Sequence, residues 1–153
     1  MQQRIYIDTS VFGGYYDKEF EDDTRLFFKR IINKEYKVAI SQISNIELLP
    51  APQQVRDLVK IIPLDCIVVF EFSEEAQQLA NYYISEKILG NASLNDAYHI
   101  AIATVNRIDV LVSWNFKHIV NLDKIRLFNA INMKLGYPII DIRAPKELIK
   151  YED

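Results

Sequence analysis

Asp8 is the fifth residue of the stretch RIYIDTSVF, in which Ile5 and Ile7 read as one buried face of a short strand. The chain leaves that strand through a carboxylate and two hydroxyls, Thr9 and Ser10. Taken alone, Asp8 reads equally well as the cap of a helix starting near Ser10. Glu47 lies in SQISNIELL among Ile43, Ile46, Leu48 and Leu49. An acid in so apolar a helix is unusual, although a lone solvent-facing glutamate is the plain alternative. Asp96, in SLNDAYHIAIA, falls in the first turn of a helix, where the macrodipole alone favours an acid. Singly, none of the three carries a function.

The elements around them change that. Short runs rich in Ile and Val at 5–7, 37–41, 66–70, 109–113 and 138–142 predict strands covered on both sides. Between them the period becomes helical. A stripe of Leu26, Phe27, Phe28 and Ile31 predicts a helix capped by Asp22 or Asp23. Ser73, followed by Glu74 and Glu75, starts a second helix that ends near Gly90. A third begins at Ser93 or Leu94 and carries Ala97, Ile100, Ala101 and Thr104. Segments near 43–49, 52–61 and 124–134 also read as helical, with Pro50 and Pro52 separating the first two. Alternating strands and helices predict an α/β domain with a mostly parallel sheet and helices on both faces. Ligands of such sheets bind beyond the carboxyl ends of the strands.

Asp8 and Asn115 fall at such ends, and the helices bearing Glu47 and Asp96 can cover the same edge. Three carboxylates gathered there repel one another unless a cation neutralises them. Oxygen donors with no nearby Cys select a hard ion, Mg²⁺ or Mn²⁺. Ions held in this way commonly serve phosphodiester hydrolysis, because they activate water and offset charge building on the phosphate.

Bulk properties restrict the classes available. The chain has 153 residues, half of them hydrophobic, which suits one compact domain over 1–153. No apolar run is long enough to span a bilayer, and MQQRIYID lacks the core of a secretory signal. A single cysteine, Cys66, flanked by Ile67 and Val68, excludes an internal disulfide and reads as an inert core thiol. A cytoplasmic protein is therefore expected. The net charge of −3 is unlike that of most nucleic-acid binders, but it is unevenly spread. Residues 1–100 carry 10 basic and 15 acidic side chains and residues 101–153 carry 8 and 6, so any phosphate-contacting surface lies late.

Asp8-Thr9-Ser10 after the first strand, Glu47 in a short helix after the second, Asp96-Ala-Tyr-His-Ile-Ala-Ile-Ala and the DVLVSWNFKHI strand and loop together resemble the PIN domain. The likeness runs from Arg4 to about Ile142 and rests on order and spacing rather than on one motif. It implies a small metal-dependent ribonuclease similar to the VapC-type toxins of toxin–antitoxin pairs, with RNA as substrate, an antitoxin as partner and a homodimer as the assembly. It further implies that Asp8, Glu47 and Asp96 hold the metal and that Ser10 supports Asp8. Asn115 is a departure, since many family members carry an acid there. An amide offers a carbonyl oxygen but no charge, which leaves the strength of the activity open.

In the same loop, Lys117 is a candidate for phosphate contact and His118 for a hydrogen bond to phosphate or for acid catalysis, with loop packing as the alternative for His118. His99, one turn after Asp96, reads as a core or supporting histidine. Gly13 and Gly14 form no phosphate loop and read as a flexible bend; Tyr15, Tyr16 and Trp114 flank the edge and are candidates for stacking on unpaired bases, with core or interface packing as the default. Aromatics on the helices at 24–32 and 79–84 are candidates for the dimer contact. Two other readings remain. One is a phosphatase with an aspartyl nucleophile, although a second acid is wanted two residues after Asp8 and Ser10 stands there. The other is a degenerate PIN-like module that binds RNA or protein without cutting.

Overall fold

The computed structural model describes residues 2–149; residues 1 and 150–153, part of the expected single domain, lie outside the described residues. In chain order the elements are β1 (Gln3–Ile7), α1 (Thr9–Gly14), α2 (Glu21–Ile32), β2 (Tyr36–Ser41), α3 (Gln42–Leu48), α4 (Gln53–Arg56), α5 (Leu58–Ile61), β3 (Ile67–Phe70), α6 (Glu74–Ser85), α7 (Leu94–Val105), β4 (Val110–Val112), α8 (Leu122–Lys134) and β5 (Asp141–Arg143). All five strands are parallel, in the order β3-β2-β1-β4-β5. The chain builds outward from β1 to β3, then crosses over to β4 on the other side. The switch point lies between β1 and β4, where an open α/β sheet leaves a crevice.

The alternation of β1 sorts the two cores. Ile5 and Ile7 face one side with Phe12, Phe27, Phe28, Ile31, Val38 and Val112. Tyr6 faces the other side with Ala39, Leu79, Tyr83, Ile100 and Leu111. The sheet is therefore covered on both faces over its centre, as the β-branched runs require. Its edge differs from expectation. Val68 and Val69 of β3 are 44% and 49% exposed, because β3 is an edge strand with only β2 beside it.

Other departures have local causes. The segment expected as a strand over 138–142 pairs with β4 only from Asp141. Before that, the Asn129 side chain takes both backbone groups of Ile140, accepting from its N–H at 2.8 Å and donating to its carbonyl at 3.0 Å. An amide thus replaces the ladder. Helix α2 starts at Glu21 with no side-chain cap, and Asp22 and Asp23 sit inside its first turn instead. Its buried stripe is Thr24, Phe27, Phe28 and Ile31, while Leu26 is exposed. With Phe27, Phe28 and Tyr83 fully buried, most of the aromatics expected to pair two copies are core residues. The expected helix over 52–61 is two short ones, α4 and α5. Gly13 and Gly14 belong to α1 rather than to a flexible bend. A Cβ on Gly14 would lie 2.7 Å from the Trp114 indole, so glycine there permits a close approach. Cys66 is a buried free thiol, and among the described residues no helix is long and apolar enough to cross a membrane.

Candidate metal centre

Asp8 follows β1 directly, and its backbone N–H continues the ladder to the Val112 carbonyl at 2.9 Å. It occupies the N-cap position of α1, yet its side chain makes no capping bond. The carboxylate turns into the protein, 4% exposed. Its Oδ2 accepts from the hydroxyls of Ser10 and Ser113, each at 2.7 Å. Ser10 Oγ in turn accepts from the Trp114 backbone N–H at 3.0 Å, so the ends of β1 and β4 are tied through one hydroxyl. Trp114 itself stacks on Phe20 and donates to Thr24, which makes it a wall of the site rather than an open platform.

Glu47 is carried by α3, whose start is fixed by a capping box: Ser41 Oγ accepts from Ile43 N–H and Ser44 Oγ accepts from Ser41 N–H. The half-buried carboxylate points back toward Asp8. Its Oε1 accepts from Thr9 Oγ1 at 2.8 Å and from His99 Nε2. Burial pushes the Glu47 carboxyl up, but hydrogen bonds from His99, Thr9 and Asn95 outweigh it and hold the group below the usual carboxylate range.

His99, on α7, is fully buried between these groups. Its Nε2 also faces Asp8 Oδ1 at 3.6 Å, and its Nδ1 meets the Tyr6 hydroxyl at 2.6 Å. The Tyr6 hydroxyl donates onward to Ser41 Oγ at 2.7 Å. When protonated, the ring places its charge between Glu47 and Asp8. Burial opposes that charge, yet the Tyr6 oxygen, Glu47 and Asp8 raise the His99 pKa to about 10.

Asp96 stands one turn earlier on α7, at the rim. Its Oδ2 meets His118 Nδ1 at 3.1 Å, and that ring also meets Ser93 Oγ at 3.2 Å. Burial and the nearby charge of Asp8 raise the Asp96 carboxyl above its ordinary value, despite His118 and His99. Beside it opens a cleft of about 350 Å³ lined by Glu47, Asp96 and residues 91–95.

Among the described residues, Asp8, Glu47 and His99 each bring one ligating atom within 4.8 Å of the others. Asp96 is not one of that group. The Asn115 side chain is turned to its own loop, where Oδ1 accepts from the His118 backbone N–H at 3.0 Å. Lys117 is exposed on the same loop. Sequence reasoning did not pick out Ser113, Tyr6 or the pairing of His118 with Asp96. A hydroxyl residue ending the DVLVS run is the one sequence signal near any of them; its register with Asp8 comes from the structure.

A PIN domain model matches residues 5–118, which include every side chain just described. The chain belongs to the PIN domain family. Similar solved structures are VapBC2 from Rickettsia felis bound to a DNA fragment from their promoter (18% identity, TM-score 0.56, 93% of this chain and 98% of that one) and FitAcB from Neisseria gonorrhoeae (14%, 0.57, 92% and 97%). DNA-bound VapBC from Salmonella typhimurium is similar as well (18%, 0.54, 95% and 99%). At these identities the likeness is one of fold. No curated protein sequence matches the chain.

Proposed function

We propose that this PIN domain protein is a Mg²⁺- or Mn²⁺-dependent endoribonuclease of the cytoplasm, acting as the toxin of a toxin–antitoxin pair. One observation carries the reading. The protein anchors one oxygen of each acid: Ser10 and Ser113 hold Asp8, Thr9 and His99 hold Glu47, and His118 holds Asp96. Anchoring one oxygen fixes the direction of the other, and such preorganisation is what a cation site needs. The donor set fits a hard divalent ion, and the charge of Asp8 that raises the Asp96 carboxyl is the kind of repulsion an ion relieves.

Asp8, Glu47 and Asp96 would hold the ion. When bound, it would supply Lewis-acid stabilisation of the phosphoryl group and a more acidic water. Lys117 would contact a substrate phosphate as a point charge, and His118 would keep Asp96 oriented through Nδ1. The antitoxin partner is carried over from the VapBC complexes similar in fold, and a homodimer belongs to the same reading. The phosphatase reading is weaker, because Ser10 occupies the position of the second acid and spends its hydroxyl on Asp8. A non-cleaving RNA-binding module is the second reading, favoured by the neutral Asn115 held in its loop.

RNA cleavage with EDTA and with Mn²⁺, alongside p-nitrophenyl phosphate hydrolysis, tests the three. The nuclease reading expects metal-dependent RNA cleavage that Asp8→Asn and Asp96→Asn both abolish. RNA binding without cleavage under any metal would select the second reading.

A further inference from the structure

The three acids arrive on three elements, and behind them runs a buried chain of hydrogen bonds with one residue from each. Ser41 starts the helix that carries Glu47, Tyr6 precedes Asp8 by two positions on β1, and His99 follows Asp96 by one turn on α7. All three side chains are fully buried. The contacts are consecutive: Ser41 Oγ to the Tyr6 hydroxyl at 2.7 Å, that hydroxyl to His99 Nδ1 at 2.6 Å, and His99 Nε2 to Glu47 Oε1. Packing alone does not call for this. Tyr6 lies among Ala39, Ile100 and Leu111, where a phenylalanine ring would fill the same space. A buried hydroxyl and a buried imidazole both lose hydration, so their presence in an apolar core needs a compensating role.

We propose that Tyr6 and His99 are positioning residues that set the direction of the Glu47 carboxylate. The Tyr6 hydroxyl locks the rotation of the His99 ring, and the locked ring holds Oε1 of Glu47. Because Ser41 is both the far end of the chain and the cap of α3, the same bonds hold the helix that presents Glu47. Neither residue touches substrate. Both act through the acid.

The metal part of this inference rests on the nuclease reading, but the orientation of Glu47 does not. Tyr6→Phe removes only the hydroxyl. Tyr83→Phe is the control, because it deletes another buried hydroxyl, bonded at 2.5 Å to Asn132 in the other part of that core. Two quantities are measured: the ¹³Cδ resonance of Glu47 in protein without metal, and the Mn²⁺ dissociation constant by calorimetry. The expected result is a shifted Glu47 resonance and Mn²⁺ binding weakened by about 10–100-fold in Tyr6→Phe, with both unchanged in Tyr83→Phe. A Glu47 resonance at its wild-type position in Tyr6→Phe overturns the proposal. Should Tyr6→Phe fail to fold, His99→Gln takes its place with the same expected and overturning results. If wild type itself binds no Mn²⁺, the nuclease reading fails. The resonance alone then decides: displaced in Tyr6→Phe it supports the positioning role, unmoved it overturns it.

Discussion

Two histidines meet acids in this molecule, and they do so in opposite surroundings. His99 is enclosed by Tyr6, Asp8 and Glu47 with no exposed surface, whereas His118 meets Asp96 at a half-exposed rim. At the enclosed corner the carboxyl of Glu47 falls below its ordinary range and the imidazole rises to about 10. At the rim the carboxyl of Asp96 rises. The inner corner is held by a completed charge pair and the outer one carries unrelieved repulsion. A cation arriving from the cleft therefore gains most at Asp96, while the inner corner is already built.

The largest test removes the enclosed ring. His99→Ala leaves Asp8 and Glu47 facing each other beside a cavity, and should lower the stability of the metal-free protein by about 3 kcal/mol. His118→Ala breaks a half-exposed pair and should cost less than about 1 kcal/mol. Urea unfolding of both variants compares the corners directly; equal losses would erase the distinction.

The pH dependence separates the corners by sign. His99 has a folded pKa near 10 against an ordinary value of about 6.5, so its stabilisation is complete below about pH 6.5 and is lost as pH rises through 10. Between those limits the folded state holds one more proton, and stability should fall by about 1.4 kcal/mol per pH unit at most. Glu47 works the other way, contributing above its unfolded value and losing that contribution as pH falls through its lowered folded value. Unfolding curves at pH 6, 8 and 10 should show the decline in wild type. In His99→Gln the slope assigned to this ring should disappear.

Much of this arrangement was legible in the residues, for reasons that also mark where legibility ends. Strand ends and helix starts are local, so the positions of Asp8, Glu47 and Asp96 at one sheet edge followed from patterns a few residues long, whereas the support from Ser10 came only with the family resemblance. Ser113 meets Asp8 across 105 positions, and Tyr6 meets His99 across 93. Such pairs depend on the β1–β4 register and on how α7 crosses the sheet, which local periodicity does not encode. Repulsion among the three carboxylates, taken alone, would make Asp8→Asn raise the apo melting temperature. The buried His99 ring and two serine donors beside Asp8 reverse that expectation.

That reversal gives a smaller test of the same comparison. In metal-free protein at neutral pH, Asp8→Asn should lower the melting temperature, because the amide weakens the contacts from Ser10, Ser113 and His99. Asp96→Asn should raise it slightly, with a stability gain of about 1 kcal/mol or less, because it removes a charge that burial and Asp8 disfavour. Melts in EDTA that move both variants in one direction would mean the two acids share one environment.

The smallest expected change in stability is at Asn115, in the loop that carries His118. Its Oδ1 accepts from the His118 backbone N–H, a bond that a carboxylate makes equally well. Asn115→Asp should therefore leave the apo stability within about 0.5 kcal/mol of wild type. Its effect should fall on the ion instead. A fourth negative charge strengthens the repulsion already raising the Asp96 carboxyl, and a cation relieves both together. Mn²⁺ should bind more tightly and cleavage should persist to lower Mg²⁺. If the added charge reaches only the loop, calorimetry will give the wild-type dissociation constant. Asn115 is then a staple for His118 and stands outside the cation's surroundings. A large loss of stability would mean that its Nδ2 group donates a bond the loop requires. The amide would then be kept for structure, and its neutrality would say nothing about how many ions the site takes.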